Sequence, residues 1–158
     1  MKAKLLIAAI TLTLLAGCSK DKFTTKPQLT FKSVNLNTIE PGQVLSFTIR
    51  FTDKEGDIQN ALYFDKKTRN CSASDVSQSY TISQNVPKTG DLQGDLLINF
   101  AYGQDAAFAT GYPLLPEPQC GTSTNPINDT CVFRFVLTDK ANNSSDTLVS
   151  PEIVIIKR

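Results

Sequence analysis

Hydrophobic and polar residues alternate along most of this chain from Leu29 onward. A period of two is typical of β-strands that bury one face and expose the other. The clearest case is residues 43–52, where polar side chains separate Leu45, Phe47, Ile49 and Phe51. Further strands are predicted at residues 29–37, 61–69, 80–86, 96–102, 131–139 and 148–157.

These segments predict the fold class. No stretch shows a convincing helical period, and turn-forming residues such as Glu40, Pro41 and Gly42 separate the predicted strands. The alternation slips near Ser33, which predicts a β-bulge. About seven short strands indicate an all-β protein, an antiparallel immunoglobulin- or fibronectin-like β-sandwich. An eight-stranded jelly roll or small barrel is the alternative.

The first 17 residues have a different pattern. Lys2 and Lys4 precede an uninterrupted run without charge at residues 5–15, and small residues follow. This order is that of a secretory signal peptide. Eleven residues in a helix span about 17 Å, whereas the hydrocarbon core of a bilayer is about 30 Å thick. We therefore expect residues 1–17 to be a cleaved signal and not a permanent transmembrane helix.

The sequence Leu-Ala-Gly-Cys at residues 15–18 resembles the lipobox of bacterial lipoproteins. The resemblance implies that Cys18 receives acyl chains and becomes the first residue of the mature protein. Residues 18–28 are then the lipidated cysteine and a polar tether, and residues 29–158 form the β-sandwich domain. Ser19 stands where many inner-membrane lipoproteins have aspartate, so the resemblance implies a cell-envelope protein of the outer membrane or cell surface.

Composition excludes several classes of function. Without residues 1–17 the chain has 14 basic and 15 acidic side chains (16 − 2 and 15), so nothing attracts nucleic acid electrostatically. The sequence contains no histidine. Its absence removes the usual general base, the Ser-His and Cys-His nucleophile pairs and the commonest zinc ligand. We therefore expect a protein that is not an enzyme.

Two predicted strands end in the same way, as Phe-Thr-Asp-Lys at residues 51–54 and Leu-Thr-Asp-Lys at residues 137–140. In an immunoglobulin-like topology these are strands B and F, which end at the same pole of the sandwich. Clustered carboxylate and amide oxygens are calcium ligands. The candidate calcium ligands are Asp53, Glu55, Asp57, Asp139 and Asn142. Alternatively, these are turn residues that bond to nearby backbone amides.

The sequences Phe-Thr-Asp-Lys-Glu-Gly-Asp-Ile at residues 51–58 and Asp-Lys-Ala-Asn-Asn-Ser at residues 139–144 resemble uncharacterised single-domain Bacteroidetes lipoproteins with an immunoglobulin-like sandwich. The resemblance implies no known activity. The loop is not an EF-hand, because Gly56 comes too early and Phe64 stands where the closing glutamate belongs.

Residues 103–130 show no strand pattern, which is long for a compact domain and indicates a missed edge strand or a functional loop. Phe108 and Tyr112 are the candidate ligand-binding residues there, because aromatic side chains stack on sugars or fill partner pockets. Alternatively, they fold back over the core.

Three cysteines remain besides Cys18, and a secreted protein allows two of them to pair. We predict a Cys120–Cys131 disulfide that closes a short loop, with Cys71 free. The alternatives are Cys71–Cys120 and then Cys71–Cys131.

Taken together, the sequence predicts a lipid-anchored, non-catalytic binding or structural module whose partner is an envelope protein or glycan. The alternative is a small carbohydrate-binding or carboxylate-based glycan-active accessory protein, since some glycosidases use two acids alone. A third reading is a spacer stiffened by calcium.

Overall fold

The computed structural model describes residues 23–157. The predicted signal peptide, the lipidation site Cys18 and the first part of the tether lie outside these residues. Ten strands are described: β1 (Gln28–Val34), β2 (Thr38–Ile39), β3 (Val44–Asp53), β4 (Ala61–Thr68), β5 (Val76–Thr81), β6 (Leu92–Tyr102), β7 (Leu114–Leu115), β8 (Asp129–Thr138), β9 (Leu148–Val149) and β10 (Ile153–Ile155). One α-helix, α1 (Gln104–Thr110), follows β6.

The strands form two sheets. The first sheet has the order β1-β3-β6-β7, and the second has the order β2-β10-β8-β4-β5 with β9 paired to β8. Most pairings are antiparallel, including all those between the long strands. The β2–β10 and β6–β7 pairings are parallel. The all-β prediction is therefore confirmed, but the prediction of a purely antiparallel architecture is wrong at these two short pairings.

The core lies between the two sheets. In β3 every second residue from Leu45 to Phe51 is buried, and in β8 the same holds from Cys131 to Leu137. The Phe47 ring of the first sheet lies 4.9 Å from the Phe133 ring of the second, measured between centroids. Each such phenylalanine removes a large apolar area from water, so these contacts hold the sheets together.

Several predicted elements differ in their extent. The bulge near Ser33 is confirmed as a register shift between Phe31 and Ser33. The predicted strand at residues 148–157 is two short strands, because Pro151 lacks the N–H that a continuous ladder needs. The predicted strand at residues 80–86 lies earlier, at β5, and is mostly polar. The expectation of no helix is wrong at α1, whose seven residues are too few to show a helical period in the sequence.

The disulfide prediction is also wrong. Cys71 and Cys120 are bonded, with their Cα atoms 5.5 Å apart, and Cys131 is the free cysteine among the described residues. Cys131 belongs instead to the inward-facing row of β8, where its Sγ lies 3.6 Å from the Ile153 carbonyl oxygen of β10. The bond that does form ties the segment after β4 to the long connection before β8.

The molecule has two poles with different chemistry. We call the end where β3 and β8 finish the acidic pole; Asp53 of β3 lies there opposite Leu92, the first residue of β6. We call the other end the distal pole. It carries α1, which follows the last residue of β6, and the disulfide, because Thr68 pairs with Cys131 near the start of β8.

Candidate functional site

Three carboxylates meet at the acidic pole. One oxygen from each of Asp53, Asp57 and Asp139 lies within 4.8 Å of the other two. Asp53 ends β3 in the first sheet, whereas Asp139 directly follows β8 in the second. The predicted meeting of Asp53 with Asp139 at one pole is therefore confirmed, and the cluster joins the two sheets.

Backbone amides hold part of this cluster in place. Asp53 Oδ2 accepts hydrogen bonds from the N–H groups of Gly56 (2.7 Å) and Asp57 (3.1 Å). Asp139 Oδ1 accepts one from the Asn143 N–H (2.7 Å), and Asp139 Oδ2 accepts one from Asn143 Nδ2 (2.9 Å). These are turn bonds of the kind the sequence suggested as an alternative, and they fix Asp53 and Asp139 in orientation.

The turn bonds leave two carboxylate oxygens of the cluster without a hydrogen-bond donor from the described chain. Asp53 Oδ1 and Asp57 Oδ1 are both buried, and neither has a hydrogen-bond partner among residues 23–157. The Asp53 residue as a whole is 0% exposed. Burial is the main factor that raises the pKa of Asp53, the two backbone hydrogen bonds lower it, and the nearby Asp57 and Asp139 carboxylates raise it further. A buried carboxylate oxygen without a donor is costly, so the site lacks a positive partner.

No cationic side chain within the described chain supplies that partner. Six ion pairs form among these residues, and none includes Asp53, Asp57 or Asp139. Lys54 and Lys140 directly follow Asp53 and Asp139 in the sequence. The Lys140 ammonium group donates to Gln84 Oε1 (2.8 Å) and attracts Asp57 without forming an ion pair, and the Lys140 backbone N–H donates to the Asp57 carbonyl. The three clustered carboxylates are thus close together without an ion pair.

Of the four acidic candidates, Glu55 does not belong to this group. Glu55 is exposed, and so is Asn142, whose backbone is left-handed with φ at 67°. Asn tolerates this conformation better than most residues, so the turn explains the presence of Asn142. The structure therefore brings together Asp53, Asp57 and Asp139 out of the four predicted carboxylate ligands.

Gly56 explains how the chain reverses between Asp53 and Asp57. Its φ is 70°, and a Cβ atom at this position would lie 2.1 Å from the Thr89 carbonyl oxygen. Any other residue would both strain the backbone and displace the neighbouring loop. The glycine thus allows the Asp57 carboxylate to return to the Asp53 carboxylate.

The candidate ligand-binding aromatics lie away from this cluster. Phe108, on α1 at the distal pole, is 85% exposed. Tyr112 is less exposed and borders an apolar groove of about 260 Å³ together with Tyr80, Leu96 and Pro113. The structure therefore separates them: Phe108 projects outward, whereas Tyr112 covers the edge of the core.

A second groove was not predicted. It has a volume of about 540 Å³ and lies on the outer face of the second sheet, lined by Tyr63, Asp65, Gln78, Ser79 and Arg134, among others. Tyr63 is 50% exposed. Arg134 Nε donates to Asp65 Oδ1 (2.7 Å), so the two charges border the groove as a fixed pair. In β4 and β8 every second residue faces outward, and this alternation is the sequence signal that could have predicted the groove.

Sequence reasoning also missed a buried ion pair near the distal pole. Lys66 Nζ lies 2.5 Å from Asp129 Oδ2, and both side chains are 0% exposed. Lys66 is two residues after Phe64 and four after Leu62, so it faces inward with them in β4. This alternation was the sequence signal that could have predicted a buried lysine.

Comparisons with known proteins do not assign this chain to a family. No family model matches the chain, and no curated protein matches it. Among solved structures, the chain is similar to the sporulation control protein Spo0M from Bacillus subtilis, at 9% identity and a TM-score of 0.40. The match covers 85% of this chain and 51% of Spo0M, so the chain spans about half the length of that protein.

In the part of the chain from residue 23 to residue 157, no helix is long and apolar enough to cross a membrane.

Proposed function

We propose that this protein is a lipid-anchored, non-catalytic binding or structural module of the cell envelope, held at the outer membrane or cell surface through Cys18. The observation that carries the proposal is the Leu-Ala-Gly-Cys sequence at residues 15–18, directly after the apolar run. The Cys71–Cys120 disulfide supports it, because disulfides persist in oxidising compartments outside the cytosol.

The path of the chain supports an orientation. The Lys54 N–H donates to the Thr24 carbonyl (3.2 Å), so the chain enters the domain at the acidic pole. Four residues separate Cys18 from Phe23, and a fully extended chain of this length reaches at most about 18 Å. An anchored molecule therefore holds its acidic pole near the membrane and presents α1 and the disulfide-tied loops away from it.

We also propose that the sandwich is immunoglobulin-like. The order β1-β3-β6 of the first sheet corresponds to strands A, B and E of that fold, and β10-β8-β4-β5 corresponds to G, F, C and C′. Domains of this kind serve many unrelated functions, so the topology supports a module for binding or spacing and not a particular ligand.

The site geometry supports the absence of catalysis. Glycosidases that use carboxylates alone hold their two acids about 5–9.5 Å apart across a cleft. Here the carboxylate oxygens lie within 4.8 Å of one another, and Asp53 and Asp139 are buried. Buried and bonded within their own turns, Asp53 and Asp139 are not open to a sugar.

Two experiments on the intact protein test the anchor. Mass spectrometry of the mature protein should find Cys18 at the N-terminus with acyl chains attached. Cys18→Ala should give a protein that no longer fractionates with membranes, whereas Cys131→Ala should fractionate as the wild type does. A mature chain that keeps an unmodified Cys18 inside its sequence would refute the proposal.

A second candidate function is carbohydrate binding, favoured by the groove on the outer face of the second sheet. Tyr63 supplies an aromatic face, while Gln78, Arg134 and Asp65 supply hydrogen-bonding groups beside it. Binding of bacterial surface polysaccharides on a glycan array should fall at least tenfold in Tyr63→Ala and persist in Phe108→Ala. Loss in Phe108→Ala alone would move the site to the distal pole, and no binding by the wild type would remove this function.

A further inference from the structure

The three clustered carboxylates carry a negative charge that the described residues balance only in part: Lys140 attracts Asp57 electrostatically but forms no ion pair with it. Asp53, Asp57 and Asp139 come from two sheets and meet without a lysine or arginine among residues 23–157 in an ion pair with them. Like charges at such distances repel and weaken the fold unless a cation neutralises them. Four hydrogen bonds nevertheless fix the Asp53 and Asp139 carboxylates in orientation, while the Asp57 carboxylate has none of these turn bonds.

A second observation points to a ligand. Asp53 is fully buried, yet its Oδ1 atom accepts no hydrogen bond from the described chain. The buried Asp57 Oδ1 atom also accepts none from it. Turn bonding accounts for Asp53 Oδ2 and both Asp139 oxygens, but it does not account for these two. Both unpartnered oxygens belong to members of the same cluster, whose ligand atoms converge.

We infer that Asp53, Asp57 and Asp139 form a calcium site that clamps the end of β3 to the end of β8. Calcium takes oxygen ligands at about 2.3–2.6 Å, so oxygens on opposite sides of the ion lie up to about 5 Å apart. The separations of at most 4.8 Å fit this sphere. Magnesium demands a near-ideal octahedron at about 2.1 Å and usually keeps several of its waters, so the responses to the two ions distinguish a calcium site from a magnesium site.

The clamp has a structural consequence that does not depend on the lipid anchor. It joins the two sheets at the pole where Thr24 lies against Lys54, so the ion stiffens the end at which the chain enters the domain. With only three carboxylates from the protein, water completes the coordination. We expect a dissociation constant of about 10⁻⁴ to 10⁻³ M, the range of extracellular calcium modules.

Thermal unfolding of the full chain in detergent tests the site. After treatment with a chelator, 10 mM Ca²⁺ should raise the Tm by about 5–10 °C, and 10 mM Mg²⁺ should raise it much less. No shift with Ca²⁺ would overturn the inference, and an equal shift with Mg²⁺ would overturn the assignment to calcium.

Asp57→Asn gives the sharper comparison, because Asp57 is only half-buried and its carboxylate holds no turn in place. With chelator, this variant should melt at or above the wild-type Tm, since one repelling charge is gone. With Ca²⁺ it should melt below the wild type and show no shift. The matched control is Asp91→Asn, at an exposed left-handed position of the same pole whose N–H donates to the Lys54 carbonyl.

The control should keep the full calcium shift. An unchanged shift in Asp57→Asn would overturn the inference, and so would an equal loss in Asp91→Asn, which would indicate general charge screening. Calorimetric titration of the wild type needs no variant and should give one Ca²⁺ per chain.

Discussion

At the scale of single residues, Lys66 and Asp129 form the least solvated ion pair of the described chain. Both side chains are 0% exposed, and Asp129 Oδ1 has no hydrogen-bond partner among the described residues. Removing two charges from water is costly, so such a pair adds little net stability over apolar residues of the same size. Breaking it is a different matter, because the remaining charge is buried alone.

We predict that Asp129→Asn lowers the free energy of unfolding by about 3–5 kcal/mol, because it leaves the Lys66 ammonium buried without a counter-charge. Denaturation in urea measures this. The control is Asp95→Asn, which breaks the exposed pair with Arg50 and should cost less than about 1 kcal/mol. Equal costs for the two variants would show that burial does not govern the Lys66–Asp129 pair.

Cys131 provides a second test at this scale. Burial raises the pKa of its thiol to about 12. The thiolate is the reactive form, so the folded protein should not react with iodoacetamide at pH 8. After denaturation without reductant, one thiol of the domain should react, and peptide mapping should place it at Cys131. Labelling of Cys71 or Cys120 would contradict the observed disulfide.

At the scale of elements, the sequence predicted β3, β4 and β8 well and the short strands poorly. The longest strand, β6, was expected from residue 96 but begins at Leu92. In β3, β4 and β8, alternation over eight or more residues is a strong signal, and their predicted positions hold within about two residues. The two-residue strands β2, β7 and β9 have no such signal. They exist because neighbouring strands offer free edges, which is a tertiary cause.

The cysteine pairing failed for a related reason. The prediction relied on the short spacing between Cys120 and Cys131, which favours a small loop in the unfolded chain. It ignored the parity of β8, in which Cys131 stands in the same row as Phe133 and Phe135 and points into the core. Cys71 meets Cys120 through contacts between residues far apart in sequence: β4 pairs with β8, and the Gln119 N–H donates to Ser74 Oγ (2.8 Å).

The disulfide leads to a prediction for the long connection of residues 103–128. Cys71 and Cys120 are 49 positions apart in the sequence, so an unstrained bond between them stabilises the fold by about 4 kcal/mol through chain entropy. The variant with Cys71→Ser and Cys120→Ser should therefore lose about 2–4 kcal/mol in urea denaturation. Phe108→Ala, in the same connection but 85% exposed, should change stability by less than about 0.5 kcal/mol. A disulfide variant as stable as the wild type would contradict this account.

At the scale of the whole molecule, the candidate site was predictable because topology determined it. Strands β3 and β8 end at the same Thr-Asp-Lys sequence, and each aspartate falls on the inward-facing side of its strand. These two signals were enough to predict that Asp53 and Asp139 meet. Which further acids join them was not predictable. The positive φ of Gly56 turns Asp57 inward and leaves Glu55 exposed, and the sequence does not specify that turn uniquely.

The same topology separates the acidic pole from the distal pole. Strand β3 has ten residues, which at about 3.3 Å per residue spans about 33 Å. Because the chain enters beside Lys54, the proposed anchor makes Glu55 a membrane-proximal residue and Phe108 a membrane-distal one.

Fluorescence quenching on vesicles tests this account most directly. The lipidated full chain carries one fluorescent label, at Glu55→Cys or at Phe108→Cys, and the phosphatidylcholine vesicles contain spin-labelled headgroups. The buried Cys131 and the disulfide should not react with the label. We predict strong quenching at position 55 and little at position 108. Equal quenching, stronger quenching at position 108, or no association with the vesicles would contradict the account.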